Sequence, residues 1–311
     1  MDLSIVIPFY NEEDSIKPLY DAVTESMAKL TYSYELILVD DGSKDNTLNK
    51  MLEIAKSDPR LKVVKLKKNY GQTTGLHAGF QNAVGKYIVT MDGDLQNDPS
   101  DIGRMMEKLG EGNDICLGWR EQRQDSQFTR LLPSKIANSL VRNVTGIPVK
   151  DNGCAIRSYK AETINKFPMY SEMHRLLPVI NALTGASFTQ IPVKHHARKF
   201  GSSKYGLSRI YKVILDLIAL KTVFSSFNKP LFGFGTAALI SGLLFIIFLI
   251  LTFSVWLLHP GFPLVVLLGS TALFGILSFT LTFLGIICHL IYKSGNLKIE
   301  KMYKLKISKA F

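Results

Sequence analysis

Short apolar runs recur along the first third of the chain, separated by amphipathic stretches. Leu3–Pro8, Glu35–Val39, Lys62–Leu66, Tyr87–Met91 and Asp114–Leu117 are rich in Ile, Val and Leu and bounded by polar turns, which predicts strands. Segments near 12–30, 45–57, 72–84 and 99–110 predict helices between them. Alternation of this kind implies an α/β fold with a mostly parallel sheet covered by helices. Beyond residue 120 the pattern loosens. Residues 128–145 and 205–227 predict basic amphipathic helices; the second places Tyr205, Leu207, Ile210, Val213, Ile214, Leu217 and Ile218 on one side.

A different pattern follows. No Lys, Arg, Asp or Glu occurs from Pro230 to Tyr292, and His259-Pro260-Gly261-Phe262-Pro263 breaks the run. A membrane span needs roughly 20 apolar residues, so the stretch predicts a transmembrane hairpin, Leu231–Leu258 and Leu264–Tyr292. A buried helical pair in a soluble core is the weaker alternative, because such pairs rarely lack every charge. The expected organisation is an α/β domain over 1–204, an interfacial helix over 205–229, two spans over 230–292 and a basic tail over 293–311.

Charge refines this picture. Lys221 and Lys229 precede the hairpin, Lys293, Lys298, Lys301, Lys304, Lys306 and Lys309 follow it, and its turn has no Lys or Arg. The positive-inside rule then puts both ends and the α/β domain on the cytoplasmic face. Leu3–Pro8 opens the chain without a basic leader, which agrees. Cys116, Cys154 and Cys288 are few and lack metal-ligand spacing, as suits a reducing compartment. The net charge of +11 fits anionic lipid and phosphorylated substrates. No zinc-finger, helix-turn-helix or RNA-binding signature accompanies it, so nucleic acid is not an expected partner.

In parallel α/β sheets ligands bind beyond the carboxyl ends of the strands. Those positions here are Tyr10-Asn11-Glu12, Asp40-Asp41-Gly42-Ser43, Asn69-Tyr70-Gly71 and Asp92-Gly93-Asp94-Leu95-Gln96. Core packing does not require four polar strand ends, so a binding crevice is the better explanation. Asp92 and Asp94, two apart after a strand, can hold a hard divalent cation with open positions for phosphate oxygens, and Gln96 adds a neutral oxygen. Such a cation would neutralise charge on a departing nucleotide diphosphate. Of Asp40 and Asp41, one could accept a hydrogen bond from a base and the other could reach a ribose, with Ser43 or Asp45 capping the next helix.

Three ordered segments, Ile5-Val6-Ile7-Pro8-Phe9-Tyr10-Asn11-Glu12-Glu13, Val39-Asp40-Asp41-Gly42-Ser43 and Met91-Asp92-Gly93-Asp94-Leu95-Gln96-Asn97-Asp98-Pro99, together resemble the family 2 glycosyltransferases of GT-A fold. The Asp-x-Asp-Leu-Gln form is similar to the polyprenyl-phosphate branch, which includes dolichol-phosphate mannose synthases. Arg120–Ser126, Asn152–Arg157 and His195–Tyr205 resemble the bacterial undecaprenyl-phosphate formamido-arabinose transferases. The resemblance implies transfer of a sugar, with inversion, from a nucleotide-diphosphate sugar to a polyprenyl phosphate. Carried over by position, Pro8, Tyr10, Glu12, Asp40 and Asp41 would contact the nucleoside. Asp92, Asp94 and Gln96 would hold Mg²⁺ or Mn²⁺, and Arg198 and Lys204 would clamp phosphates. Arg120, Arg130 and Lys135 would receive the lipid phosphate. The Thr-Gly-Ser/Asp-Phe-Arg pattern of the mannose and glucose branches is replaced by Asp151–Arg157, which leaves Asp151 as a candidate general base; His195 and His196 suit acid–base, structural or phosphate-contacting roles.

Two alternatives are open at this stage. A processive polysaccharide synthase would carry a Gln-x-x-Arg-Trp motif and more spans, and neither occurs here, the only Trp residues being Trp119 and Trp256. A non-catalytic sugar-nucleotide sensor would tolerate loss of the Asp-x-Asp acids, which are present. Small residues along the first span (Gly233, Gly235, Ala237, Ala238, Gly242) would permit helix association and hence a homo-oligomer.

Overall fold

The computed structural model describes residues 1–121, 132–164, 169, 173–183, 185–197 and 230–294, of which 132–137, 230 and 291–294 by backbone only. Contacts group the chain into two units, Met1–Leu217 and Ile218–Phe311. The first is built on a seven-stranded sheet of β1 (Leu3–Phe9), β2 (Tyr34–Asp40), β3 (Leu61–Lys65), β4 (Tyr87–Thr90), β5 (Ile115–Arg120), β6 (Arg157–Lys160) and β7 (Phe188–Val193). Their order is β3-β2-β1-β4-β6-β5-β7, and only β6 runs antiparallel to its neighbours.

The helices are α1 (Ile16–Ala28), α2 (Thr47–Ser57), α3 (Gln72–Asn82), α4 (Ile102–Gly110) after a 3-10 turn at Pro99–Asp101, α5 (Leu132–Thr145), α6 (Ala161–Ile164) and α7 (Met173–Leu183). The five strands and four helices predicted up to residue 120 all form. β6 and β7 were not anticipated. The helix predicted over 128–145 is described over 132–145, and the one predicted over 205–227 lies outside the described residues.

Helices cover both faces of the sheet, so β2 is buried along its whole length and its sequence does not alternate. On one face α1 (Ile16, Leu19, Val23, Met27) and α4 (Ile102, Met105, Met106, Leu109) pack on Leu3, Ile5 and Ile7. Burying each such side chain stabilises the fold by roughly 1.5–3 kcal/mol. On the other face α3 approaches so closely that a Cβ on Gly79 would lie 2.2 Å from Val6 Cγ1. That approach brings the first turn of α3 to the carboxyl ends of β1 and β2.

The second unit contains α8 (Pro230–Leu258) and α9 (Val265–Ser294), both long and apolar enough to cross a membrane. They pack on each other as a hairpin: Phe248 stacks on Phe274 with ring centroids 5.4 Å apart, and the Thr252 and Thr271 hydroxyls meet at 3.2 Å. Ser278 Oγ donates to the Ala238 carbonyl at 2.9 Å. Leu239, Leu243, Ile276 and Phe279 stay exposed, which suits hydrocarbon rather than water.

Candidate active site

The first wall of the crevice is built by the loops after β1 and β2. Asn11 takes a left-handed backbone (φ 52°), which Asn tolerates better than most residues. Its N–H donates to Ser43 Oγ at 3.0 Å and its Oδ1 accepts from Lys44 N at 2.8 Å. Glu12 N donates to Thr47 Oγ1, so residues 10–12 and 43–47 form one stitched surface. Pro8, beside Val39 in the sheet register, faces Gly75 of α3. The N-cap of α2 is Asn46; Asp45, one residue before it, accepts from Thr47 N and Glu13 N, while Ser43 serves the Asn11 loop.

Asp40 and Asp41 have different duties. Asp41 Oδ1 accepts from Tyr70 N at 2.8 Å, and Oδ2 accepts from Gly71 N at 2.8 Å and Asn69 Nδ2 at 3.1 Å. Burial pushes its carboxyl above the ordinary range and Asp40 adds to this, while the two amides pull it back. Asp41 therefore anchors the 69–71 loop. Gly42 (φ 68°) makes this possible, since a Cβ there would sit 2.3 Å from the Lys68 carbonyl carbon. Asp40 Oδ1 accepts from Ser43 N at 3.0 Å; its Oδ2 is buried with no hydrogen-bond partner among the described residues.

The second wall follows β4. Gly93 packs under Phe9, where a Cβ would meet the ring at 2.5 Å. Leu95 sits at φ 59°, uncommon for a bulky residue and a local strain of the kind concentrated at functional sites. The turn is held by Asp94 Oδ1, which accepts from Gln96 N at 3.1 Å. Beyond it, His196 N donates to the Gln96 carbonyl, Asn97 bridges His195, and His196 Nε2 lies 3.2 Å from Asp98 Oδ2. Asp92 Oδ1 accepts from Gln72 Nε2 at the start of α3. Burial, and then the neighbouring Asp94 charge, push the Asp92 carboxyl up to about 7, against the pull of Arg175, Arg120 and Arg157.

A third cluster underlies the second wall. Arg120, ending β5, is held by Asp151 through Nε–Oδ2 at 2.7 Å and a second bond at 3.0 Å to Oδ1, and both side chains are nearly buried. Asp151 Oδ1 also accepts from Gly153 N. Arg157 of β6 donates to the carbonyls of Cys154, His174 and Asn152, fixing the 151–154 loop. His174 Nδ1 meets Thr73 Oγ1 at 2.7 Å, and burial holds its pKa well below the ordinary value, with Arg175 and Arg157 adding to that. The expected lipid-phosphate residue Arg120 and the candidate base Asp151 are thus each other's partners. Lys135 lies on α5, its side chain undescribed; Arg130, Arg198 and Lys204 lie outside the described residues.

Gln72, Arg157 and His174 were not singled out from the sequence. Gln72 had a signal, since it directly follows the polar strand end Asn69–Gly71. The acids fit a divalent cation on their chemistry: Asp92 and Asp94 are like charges at one strand end, and a cation would relieve the repulsion that raises Asp92. Among the described residues no cluster of three or more His, Cys, Asp and Glu forms, so ligands beyond Asp92, Asp94 and Gln96 would be substrate oxygens and water.

Comparison with known proteins agrees with this architecture. Over 263 residues the chain is 40% identical to the dodecaprenyl-phosphate galacturonate synthase of Rhizobium johnstonii, covering 83% of this chain and 78% of that one. It is 36% identical to the undecaprenyl-phosphate 4-deoxy-4-formamido-L-arabinose transferase of Pseudomonas fluorescens, covering 78% and 71%. In fold it is similar to glucosyl-3-phosphoglycerate synthase from Mycobacterium tuberculosis, with a TM-score of 0.54 at 17% identity over 71% of this chain and 78% of that one. The model of the family described as glycosyl transferase family 2 matches residues 4–169, and with these relatives it shows that the chain belongs to that family.

Proposed function

We propose that this protein transfers a sugar, with inversion, from a nucleotide-diphosphate sugar to a polyprenyl phosphate at the inner membrane. The observation that carries this is the Asp92–Asp94 pair at the end of β4, two mutually repelling acids, in a chain that also bears an apolar hairpin. The two curated relatives are named for different sugars but for the same class of acceptor, a polyprenyl phosphate.

Asp40 would take a base N–H, and Asp41 supports it by fixing the loop beside it. Asp92 and Asp94, with Gln96, would hold Mg²⁺ or Mn²⁺. Bound there, the cation supplies charge neutralisation for the diphosphate. An oxygen of the lipid phosphate attacks the anomeric carbon, the bond from that carbon to the nucleotide diphosphate breaks, and its electron pair leaves on the diphosphate. A phosphate monoester has a second pKa of about 6 and is already largely ionised at neutral pH. No general base is then required, in keeping with the commitment of Asp151 to Arg120. Arg130 and Lys135 receive the lipid phosphate, and Arg198 and Lys204 clamp the donor. Because Arg120 is neutralised by Asp151, its contribution is to hold this edge of the sheet rather than to bind phosphate alone.

The test is transfer to undecaprenyl phosphate by the full chain in detergent, from a panel of UDP- and GDP-sugars that includes uronic acid and formamido-pentose donors. Lipid-linked product from one donor is expected, falling roughly 10²–10³-fold in Asp94→Ala as several kcal/mol of charge stabilisation are lost. Full turnover in Asp94→Ala would refute the assignment.

A further inference from the structure

Three consecutive residues at the start of α3 are each tied to a different element. Gly71 N is held by Asp41 at the end of β2. Gln72 Nε2 reaches Asp92 Oδ1 at the end of β4. Thr73 Oγ1 meets His174 on α7. Gln72 is thereby fixed on both sides by neighbours that are themselves clamped, and its amide nitrogen donates to the carboxylate.

On this basis we infer that Gln72 is a positioning residue for Asp92. It orients the carboxylate that helps hold the divalent cation, and it joins the nucleoside end of the crevice to the cation end. The inference rests on the function proposed above. The donor on Oδ1 fixes the orientation of the Asp92 carboxylate and leaves Oδ2 for a cation. The donor is a neutral amide, so it stabilises the ionised carboxylate without competing as a cation would. Its anchorage is rigid, because the preceding residue is pinned through its backbone N–H and the following one through its hydroxyl. Partners that orient metal ligands typically change metal affinity by roughly 10- to 100-fold when removed.

The coupling follows from the same connectivity. Asp41, beside the base-accepting Asp40, holds residues 69–71, and the chain passes directly from there to Gln72. Ordering of that loop by a nucleoside steadies the donor on Asp92.

The experiment measures Mn²⁺ binding by the full chain in detergent, by electron paramagnetic resonance of free Mn²⁺, with UDP or GDP present and without nucleotide. Gln72→Met keeps the length of the side chain and removes the donor. This variant is expected to bind Mn²⁺ roughly 10- to 100-fold more weakly in the presence of nucleotide. Nucleotide binding in EDTA and the metal-free melting temperature are expected to stay at wild-type values, readouts that a purely structural role for Gln72 would move. Wild-type Mn²⁺ affinity in Gln72→Met overturns the inference. If the wild-type protein itself binds no Mn²⁺ with either nucleotide, the cation assignment at Asp92 and Asp94 falls, and the inference with it.

Discussion

The two ends of the sheet use the same residue types for opposite purposes. At the amino ends of the strands each acid has an assigned partner. The Ser33 hydroxyl and amide, with Lys86 further off, lower the Asp2 carboxyl. Burial would raise Glu35, but Lys62 at 2.6 Å and the Ser4 hydroxyl overcome it and hold it below the ordinary value. Arg60 and Tyr20 bring Asp58 down to about 2, and Lys160 and Ser187 lower Asp114 against its burial. At the carboxyl ends, Asp92 is raised instead; Asp41 is raised as well, by burial and by Asp40, although it anchors the 69–71 loop. Acids that hold a fold are neutralised by what is always present. Acids that await a ligand are left with a debt of charge that the ligand relieves.

Asp151 breaks this division, since it stands at the carboxyl edge yet is paired as the fold-holding acids are. Asp151→Ala is expected to give the largest loss of stability, roughly 3–5 kcal/mol, because it strands a nearly buried Arg120. Urea unfolding of the detergent-solubilised chain would measure it, and Asp151→Ala/Arg120→Met should recover part of the loss. A loss near zero would free Asp151 for a chemical role.

Asp92→Asn sharpens the comparison with the opposite sign. A folded pKa near 7 lies above the ordinary carboxylate value, so the metal-free protein loses stability as pH rises from about 4 to about 7. Asp92→Asn escapes that loss. It should be more stable than the wild type by roughly 1–3 kcal/mol at pH 8, with the gap closing on acidification, while transfer activity is lost. Thermal melts in EDTA across pH 4–8 provide the check.

The smallest effect is expected at the other end. Asp58 is depressed to about 2, so its contribution is present above the ordinary carboxylate value and disappears as pH falls through about 2. Because Arg60 is half exposed, Asp58→Asn should cost only about 1 kcal/mol at pH 7. Turnover numbers and donor KM should not change, and a change in either would blur the separation between the two edges.

The first half of the sheet was legible in the sequence because its strands are apolar and its loops are not. The remainder was hidden for identifiable reasons. β6 is only Arg157-Ser158-Tyr159-Lys160, and its buried positions include an arginine and a serine, so it lacks the hydrophobic signature of a strand. β7 contains Pro192, which argues against a strand, and it is tolerated because β7 lies at the sheet edge. The site acids were visible from their position after strands. Their partners were not: the Arg120–Asp151 pair spans 31 residues and Thr73–His174 spans 101, separations that no local pattern encodes.

The antiparallel strand β6 also bears on how the chain assembles. β4, which leads into the Asp92–Asp94 turn, has β1 on one side, but its other side is completed only when Arg157–Lys160 arrive from much later in the chain. During synthesis the strands up to β4 can pair while the outer edge of Tyr87–Thr90 is uncovered. An apolar strand with unpaired amides is a template for intermolecular pairing, and closing so long a loop delays its protection. A ribosome pause or a truncation between residues 90 and 157 therefore leaves the cation-holding strand as the sticky edge of the nascent domain.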